Sequence, residues 1–306
     1  MKKILKYMNP KTFVRIFTRI LIKLNMIQEA LGRIEGRQIE HSNSEISESE
    51  FRVFSQWGED GIIQYLINNI DIENKVFVEF GIENYLQSNT RFLLVNNNWS
   101  GLVLDGNKSD IEYLKQDPIY WAHNIKAECV FVTKDNIESI LNSNGIHSDI
   151  GILSIDIDGN DYWIWEGIES VKASIVICEY NSIFGPKAKI TTEYRDDFTR
   201  ESAHYSGILY GASIAALNDL ANKKGYSLVA GNSAGNNIFF VRDNLLGNMK
   251  PLSPQEAYVK AKFREFKNKD GKLTFDDFEQ RLEKIKDNLV FDIDSQSLIK
   301  IKDALE

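Results

Sequence analysis

The sequence predicts an α/β fold in which a mainly parallel sheet is covered by helices on both faces. Seven short apolar runs with strand character occur between residues 76 and 242. Segments whose apolar residues follow helical spacing separate most of these runs. Such alternation is typical of a parallel sheet, because the chain returns through a crossover helix after each strand. The composition, with 43% hydrophobic and 26% charged residues, is that of an ordinary globular protein.

The first 40 residues differ from the rest in being basic and amphipathic. Lys11, Arg15, Arg19 and Lys23 recur every four residues. The apolar residues beside them form one helical stripe, made of Phe13, Ile16, Phe17, Ile20, Leu21 and Leu24. We predict a helical extension over residues 1–40. It either contacts an anionic membrane surface or packs on the core or a second subunit.

Met26, Ile27, Leu31 and Ile34 continue this stripe and are consistent with the seam of a homodimer. No run approaches the roughly 20 apolar residues of a membrane span, and no signal peptide is recognisable. We therefore expect a cytoplasmic protein, held at the inner face of the membrane if the extension binds lipid.

A polar linker, residues 41–50, precedes the main domain, residues 51–244. Ile62, Ile63, Leu66 and Ile67 predict a helix at its start. The predicted strands are Val76–Phe80, Gly101–Asp105, Ala122–Cys129, Ile150–Ile157, Ser174–Tyr180, Tyr226–Ala230 and Asn237–Arg242. The predicted helices are Asn89–Asn97, Lys108–Gln116, Asp135–Ser143, Asp161–Gly167 and Ala212–Lys224.

Residues 245–306 are predicted to form a helical C-terminal extension. Within it, residues 268–277 resemble a calcium-binding loop between two helices. Phe266 stands where the first ligand of such a loop should be an aspartate, and Asp277 is shorter than the usual last glutamate. We favour a turn between helices over a calcium site.

Charge and cysteine content exclude some classes of function. A formal charge of −8 and a pI near 5.2 lack the basic footprint of a nucleic-acid-binding protein. Cys129 and Cys178 both lie in apolar runs, so we expect two buried free thiols, as in a reducing compartment.

The turn after the first strand indicates which nucleotide the sheet would bind. Dinucleotide sites need several glycines there to approach a pyrophosphate, and only Gly81 is present. Glu79 and Glu83 would repel phosphates, which disfavours NAD, FAD and ATP. S-adenosylmethionine has no phosphate and carries a sulfonium and an amino group. Asp105, after the second strand, suits its ribose hydroxyls, although Asp105 is also a candidate helix cap.

Five motifs occur in the order seen in FkbM-type methyltransferases, which this chain resembles over about 190 residues. They are Phe54-Ser-Gln-Trp-Gly-Glu-Asp-Gly61, Val78-Glu-Phe-Gly81, Gly101-Leu-Val-Leu-Asp105, Ser154-Ile-Asp-Ile-Asp-Gly-Asn-Asp161 and Ile177-Cys-Glu-Tyr-Asn181. The resemblance implies a Rossmann-like, doubly wound sheet of seven strands with the last antiparallel. It implies S-adenosylmethionine as the methyl donor.

By this resemblance the cofactor-binding residues are Gln56, Glu79, Gly81, Asp105 and Gly106. Relatives commonly act as O-methyltransferases on sugars or glycans, so we expect methylation of a sugar in surface polysaccharide biosynthesis, of capsule or lipooligosaccharide. This sequence departs from the family in having Glu79 where many members have aspartate, and in an extra stretch, Asn84–Thr90.

The ends of the fourth and fifth strands are expected to bind the acceptor. Asp156, Asp158, Glu179 and Asn181 would lie together there. Crowded carboxyl groups either raise one another's pKa, which provides a base, or bind a divalent cation. Sugar methyltransferases related to macrocin O-methyltransferase use the cation. Mg²⁺ or Mn²⁺ is therefore a candidate cofactor. In the alternative, Asp158 only caps the next helix.

The segment Thr191–Tyr210 is a candidate lid over the acceptor. His204 is a candidate general base, with a solvent-exposed histidine as the alternative. The aromatic residues of the lid region are expected either to stack on a sugar or to pack under the loop: Phe184, Tyr194, Phe198, Tyr205 and Tyr210.

Two other functions fit parts of the sequence. Asp156-Ile157-Asp158 matches the short acidic motif of metal-dependent glycosyltransferases, which bind a nucleotide-sugar diphosphate. A non-catalytic assembly module, acting through the N-terminal helix, is the second.

Overall fold

A computed structural model describes residues 9–40, 45–263 and 266–306. The predicted extension and linker therefore fall only partly within it, because residues 1–8 and 41–44 lie outside the described residues. Within the linker, Ile46–Glu48 forms one 3₁₀ turn and Ser49 is buried against the main domain.

A seven-stranded sheet forms the centre of the molecule, in the order β3-β2-β1-β4-β5-β8-β7. Strands β1 to β5 run parallel, and β8 is antiparallel to both of its neighbours. This confirms the predicted Rossmann-like sheet and its antiparallel last strand. The strands of this sheet are β1 Val76–Phe80, β2 Ser100–Asp105, β3 Ile125–Cys129, β4 Ile150–Ile155, β5 Ala173–Glu179, β7 Tyr226–Gly231 and β8 Asn237–Arg242, while the short β6 Ile190–Thr191 lies outside it.

Helices cover both faces of the sheet, and side-chain alternation along the strands divides the interior into two cores. Val78 and Phe80 of β1 contribute to one core, while Phe77 contributes to the other. The helices are α1 Pro10–Glu40, α2 Glu59–Asn69, α3 Arg91–Asn96, α4 Lys108–Gln116, α5 Pro118–Ala122, α6 Ile137–Ser143, α7 Asp161–Gly167, α8 Arg200–Ala203, α9 Ile214–Lys224, α10 Pro254–Ala257, α11 Phe278–Ile285 and α12 Ile301–Leu305.

The third strand is shorter than predicted because a helix occupies its expected start. Pro118 takes the first position of α5, and the Asp117 side chain caps it by accepting from the Ile119 amide. The helix ends at Ala122, and β3 therefore begins only at Ile125.

The C-terminal extension is only partly helical, which corrects the prediction. Strands β9 (Leu289–Asp292) and β10 (Ser297–Lys300) form a hairpin, and β9 pairs with β6 of the main domain. Phe266 and Ile285 are buried in a third apolar cluster beneath this hairpin. The short strands have no long apolar run, so the pairing of β9 with β6 is a tertiary effect.

The calcium-like segment is a turn, as favoured, but the described residues just before it, 258–263 and 266–267, are not helical. Lys267 and Leu273 pair across a tight turn, and the Asp277 side chain caps α11 by accepting from the Gln280 amide. A metal-compatible group of acidic, histidine or cysteine side chains among the described residues occurs elsewhere, at Asp156, Asp158 and Glu179.

The cysteines are both free, but Cys129 is exposed at the end of β3, whereas burial was expected for both. Cys178 is buried as expected, and burial raises the pKa of its thiol well above the ordinary value. Among the described residues, no helix has the length and apolarity needed to cross a bilayer.

Candidate functional site

A cleft of about 760 Å³ opens at the carboxyl ends of β1, β2, β4 and β5. Open α/β sheets bind ligands at this edge, next to the point where the strand order reverses. We call the side formed after β1 and β2 the donor end, with Glu79 and Asp105. We call the side formed after β4 and β5 the acceptor end, with Asp156, Asp158 and Glu179.

The segment before α2 forms a tight loop that brings Gln56 and Trp57 to the cleft. Asp60 accepts hydrogen bonds of 2.7–2.8 Å from three successive amides, those of residues 53–55. Glu59 accepts from the amides of Trp57 and Gly58. Burial raises the pKa of Asp60 to about 6. The acids of this motif therefore shape the loop, and Gln56 and Trp57 are the residues free to meet a ligand.

Glu79 lies at the end of β1 with its carboxyl group surrounded by donors. It accepts from Ser88 Oγ at 2.6 Å, from the Asn89 amide at 2.9 Å, and from both the amide and the hydroxyl of Thr90. Burial raises the pKa of Glu79, and the bonds from Ser88 and Thr90 oppose that shift. The longer side chain thus reaches the extra stretch Asn84–Thr90, so the glutamate and this stretch form one structural feature.

Gly81 follows β1 in the left-handed region, with φ of +69°. A Cβ there would lie 1.6 Å from the carbonyl oxygen of Asp156. The glycine is therefore required by contact between the loops after β1 and β4, whereas the sequence suggested only approach to a ligand. Gly81 also lines the cleft.

Asp105 ends β2 and faces the cleft with a half-buried carboxyl group. Its Oδ1 accepts from the Asn107 amide at 2.7 Å and its Oδ2 from the Glu83 amide at 2.8 Å. Burial raises its pKa, and these bonds oppose the shift. The helix α4 is capped by Asn107, not by Asp105. Each carboxylate oxygen keeps a further lone pair for a ligand hydroxyl.

The wall beyond Gly106 is formed by residues that the sequence analysis missed. Val130, Phe131 and Val132 line the cleft directly after β3. Phe131 is 47% exposed, and its ring lies 3.3 Å from the position of a Cβ built on Gly106. The rule that identified Asp105, that strand ends carry ligand contacts, would have found this apolar wall after the next strand.

At the acceptor end, Asp156, Asp158 and Glu179 offer carboxylate oxygens that all lie within 4.8 Å of one another. Burial raises the pKa of Asp156 well above its ordinary value, and the nearby Asp158 and Asp161 raise it further. Burial also raises the pKa of Glu179 strongly, with Asp156 adding to the effect. Glu179 is 7% exposed, and its Oε2 has no hydrogen-bond partner among the described residues. The carboxyl groups of the acceptor end are therefore crowded together, and one of their buried oxygens lacks the hydrogen bond that would stabilise it.

The loop after β4 is held by Asp161, which corrects the alternative that Asp158 caps α7. Asp161 accepts from the amides of Ile157 and Gly159, both at 2.9 Å. Burial raises the pKa of Asp161 to about 6. Asp158 has φ of +56° and extends outward from this loop into the cleft.

Arg200 on α8 is the basic side chain that meets the acidic cluster, and the sequence analysis did not single it out. Its Nη1 donates to Asp158 Oδ1 at 2.7 Å, and its Nε donates to the Gly207 carbonyl. The guanidinium also lies over the ring of Tyr210, 4.1 Å from its centroid. The sequence around Arg200 resembles that of any capped helix N-terminus, so this contact becomes evident only from the fold.

Asn181 and His204 do not belong to the cleft lining, which corrects two expectations. The Asn181 amide nitrogen donates to the carbonyls of Ile208 and Tyr210, and its oxygen accepts from the Ile183 amide. Both ends of the side chain are thereby engaged in shaping the loop after β5. His204 Nδ1 pairs with Ser206 Oγ at 2.6 Å outside the cleft, and burial lowers its pKa.

The aromatic lining also differs from the predicted lid. Phe198, from the segment Thr191–Tyr210 that was predicted as a lid, lines the cleft, whereas Phe184 and Tyr210 are buried. Tyr194 donates to Asp196, and Tyr205 packs on the His204 ring. Trp57 and Phe263 stack at the cleft instead, with ring centroids 5.9 Å apart. Phe263 comes from the C-terminal extension, far along the chain from the other lining residues.

The lining is strongly acidic among the residues that the structure describes. One lining residue, Arg200, is basic. Eight are acids: Glu79, Glu83, Asp105, Asp110, Asp156, Asp158, Glu179 and Glu201.

Comparison with known proteins yields structural similarity alone. No family model matches the sequence, and no curated protein does. The N-terminal domain of EvdMO1, in a structure with SAH and D-fucose, has 12% identity and a TM-score of 0.36, covering 55% of this chain and 75% of that one. TrmK of M. capricolum, solved with S-adenosyl-homocysteine, has 11% identity and a TM-score of 0.35, covering 56% and 64%.

The citrinin polyketide synthase CMeT domain has 12% identity and a TM-score of 0.39, with 60% of this chain and 51% of that one covered. Similarity this distant bears on neither the activity nor the substrate of this chain.

Proposed function

We propose that this chain is an S-adenosylmethionine-dependent methyltransferase that methylates a sugar hydroxyl group. The charge of the cleft carries the proposal, since eight carboxyl side chains and one basic side chain line it within the described part of the chain. A donor with a sulfonium and an amino group is attracted to such a surface, whereas a nucleotide diphosphate is repelled.

The donor end would hold the nucleoside part of the cofactor. Asp105 faces the cleft with spare lone pairs for two ribose hydroxyls. Phe131 and Val132 provide an apolar wall for the adenine. Gln56 and Gly106 complete the surroundings of the donor, while Glu79 acts indirectly by fixing the loop before α3.

S-adenosylmethionine supplies an electrophilic methyl group. The acceptor oxygen bonds to the methyl carbon as the carbon–sulfur bond breaks, and that electron pair stays on sulfur. The hydroxyl proton passes to a carboxylate. Asp156 and Glu179 suit this task because their raised pKa values make them stronger bases than ordinary carboxylates.

A divalent cation is the alternative to a carboxylate base at the acceptor end. Asp156, Asp158 and Glu179 provide the hard oxygen ligands that Mg²⁺ or Mn²⁺ prefers, and Glu179 Oε2 is buried without a donor. Such an ion would lower the pKa of a bound hydroxyl. Mn²⁺ binding followed by electron paramagnetic resonance tests this, and equal binding by wild type and Glu179→Gln contradicts it.

A sugar acceptor is supported by the aromatic surfaces near the acceptor end. Trp57, Phe263 and Phe198 present ring faces or edges to the cleft, and sugar rings pack well on such surfaces. We further propose that the acceptor belongs to surface polysaccharide biosynthesis in the cytoplasm, with the product assembled into capsule or lipooligosaccharide.

Calorimetric titration with S-adenosylmethionine, S-adenosylhomocysteine and a UDP-sugar tests the proposed function. We expect both sulfur nucleotides to bind and the UDP-sugar not to bind. Binding of the UDP-sugar alone, in the presence of Mn²⁺, would instead support a glycosyltransferase using Asp156 and Asp158. Binding of none would support a non-catalytic module.

A further inference from the structure

The N-terminal helix α1 is anchored to the main domain only near its C-terminal end. Every residue from Lys11 to Gln28 is exposed. Gly32 is buried, and a Cβ there would lie 2.4 Å from Val53 Cγ2 and 2.9 Å from the Phe92 ring. Gln28 donates to the Val53 carbonyl. The close approach at Gly32 therefore sets the direction of the helix and leaves most of its length uncovered by the main domain.

The exposed part of α1 carries a regular apolar seam. Its members are separated alternately by four and three residues and are between 41% and 57% exposed. They are Phe13, Phe17, Ile20, Leu24, Ile27, Leu31 and Ile34. This is the heptad spacing of a coiled coil, kept over three heptads. Met26, predicted to extend the seam, falls on another side of the helix.

The residues that anchor α1 to the main domain lie on a different face of the helix from the seam. At about 100° per residue, Gln28 and Gly32 point roughly 60–100° away from the seam, so anchoring to the main domain leaves the seam open. Arg15, Ile22 and Met26 lie on the side opposite the seam. The seam itself is free of charge along its whole length.

We propose that the α1 seam pairs with the same seam of a second copy of this chain, forming a coiled-coil homodimer. A helix that is largely unpacked is marginal in water, so its stability calls for a partner. Identical seams are self-complementary about a two-fold axis. With roughly 200 Å² per bare side chain, of which about half is exposed, the seven seam residues offer about 700 Å² per copy, near the roughly 800 Å² per partner of stable interfaces.

A second copy fits α1 better than an anionic membrane does. A straight helix drifts about 20° per heptad from a strict seven-residue repeat, so keeping that repeat favours supercoiling with another helix. A lipid surface imposes no such period. Seven basic residues and no acid precede Glu29, so residues 29–306 carry a formal charge of −15 within the total of −8. An anionic membrane would repel this remainder.

Sedimentation equilibrium of the full chain, without detergent, tests the proposal. We expect a mass twice the 35.1 kDa of the chain. Leu24→Glu with Ile27→Glu places charge in the seam and should give a monomer. Ile22→Glu with Met26→Glu adds the same charge in the same turns but outside the seam, and should leave the dimer intact. Circular dichroism checks that the main domain stays folded in both.

Three results would overturn the dimer. The first is a full chain that stays monomeric at micromolar concentration. The second is an equal loss of dimer in the two double variants. The third is a monomer that co-sediments with phosphatidylglycerol vesicles and loses that binding in Arg15→Gln with Arg19→Gln, which would assign the helix to membranes. Because no nucleotide or acceptor enters the measurement, failure here is independent of the proposed methyl transfer.

Discussion

The donor end and the acceptor end of the cleft are both acidic, but their carboxyl groups are satisfied in different ways. Glu79 and Asp105 accept hydrogen bonds from amides and hydroxyls of the loops beside them. Asp156, Asp158 and Glu179 crowd within 4.8 Å, with the Arg200–Asp158 ion pair nearby. The first arrangement builds a rigid surface before any ligand arrives.

This difference in hydrogen bonding distinguishes carboxyl groups that stabilise loops from carboxyl groups that we expect to bind ligands or transfer protons. A buried carboxyl group with several donors stabilises the loop that supplies them. A buried carboxyl oxygen without a donor costs stability, and such costs concentrate at sites that bind or transfer protons. We therefore expect removal of charge to destabilise the donor end and to leave the acceptor end unharmed or more stable.

The largest effect is expected at Gly81, where the two ends touch. Gly81→Ala places a Cβ 1.6 Å from the Asp156 carbonyl oxygen, so the loops after β1 and β4 must separate. We expect the free energy of unfolding, measured in urea, to fall by more than about 4 kcal/mol, because backbone strain and a backbone clash combine.

Gly185→Ala is the matched control for that experiment. Gly185 has φ of +67°, close to the +69° of Gly81, but among the described residues no atom lies within 4 Å of its Cβ position. Its φ of +67° combines with a ψ of −178°, a backbone conformation that side chains rarely adopt, so its variant should lose about 1–3 kcal/mol. Equal losses in the two variants would mean that contact between the ends is unimportant.

A smaller effect distinguishes the two buried glutamates. Glu79→Gln turns an amide N–H₂ group toward donors that now face a carboxylate, and should cost about 2 kcal/mol in urea unfolding. Glu179→Gln places the amide where Oε2 has no donor and removes repulsion from Asp156. Its stability should be unchanged or higher, and a loss as large as that of Glu79→Gln would refute the comparison.

Cofactor affinity should depend on the donor end alone. Asp105→Asn removes the charge beside the ribose position and should weaken S-adenosylmethionine binding about tenfold, or about 1.4 kcal/mol. Asp158→Asn removes a charge at the acceptor end and should change the Kd less than twofold. Titration calorimetry measures both, and equal weakening by the two substitutions would place the cofactor elsewhere in the cleft.

The smallest expected effect is on the pH dependence of stability. An acid whose pKa is higher in the folded than in the unfolded state destabilises the protein as pH rises from the unfolded value, near 4, through the folded one. Burial raises the pKa values of Asp156 and Glu179 in this way. The free energy of unfolding should thus decline with rising pH.

Glu179→Gln should make that decline shallower by at most about 1.4 kcal/mol per pH unit, the contribution of one proton. Asp60 and Asp161, each with a pKa of about 6, contribute in both proteins and therefore cancel in the comparison. Parallel pH profiles for wild type and variant would show that Glu179 is ionised normally.

Local patterns predicted most of the sheet. The bounds of β1, β8, α4 and α7 agree with the prediction residue for residue, because each has a clear apolar period between turn residues. The start of β3 was missed where Pro118 begins a helix. The hairpin of β9 and β10 was missed because its short strands form only by pairing next to β6.

The site residues likewise divide into those that the sequence predicted and those that it did not. Glu79, Gly81, Asp105, Asp156 and Glu179 all line the cleft because strand ends of a parallel sheet converge at one edge. Arg200 and Phe263 were not predicted as site residues, because no motif near them in the sequence indicates a binding site. Conversely, the polar side chains of Asn181 and His204 looked reactive but form hydrogen bonds outside the cleft.

By itself, the sequence determined that alternating apolar segments would build a doubly wound sheet with acids at its carboxyl edge, because strand period and strand-end chemistry are local properties. Only the tertiary structure decided which carboxyl groups accept several hydrogen bonds and which crowd together. It also decided that Arg200, far along the chain, pairs with Asp158. Hydrogen-bond satisfaction and burial depend on groups far apart in the chain. The same separation holds for Gly81, whose need for glycine comes from the Asp156 carbonyl on another loop.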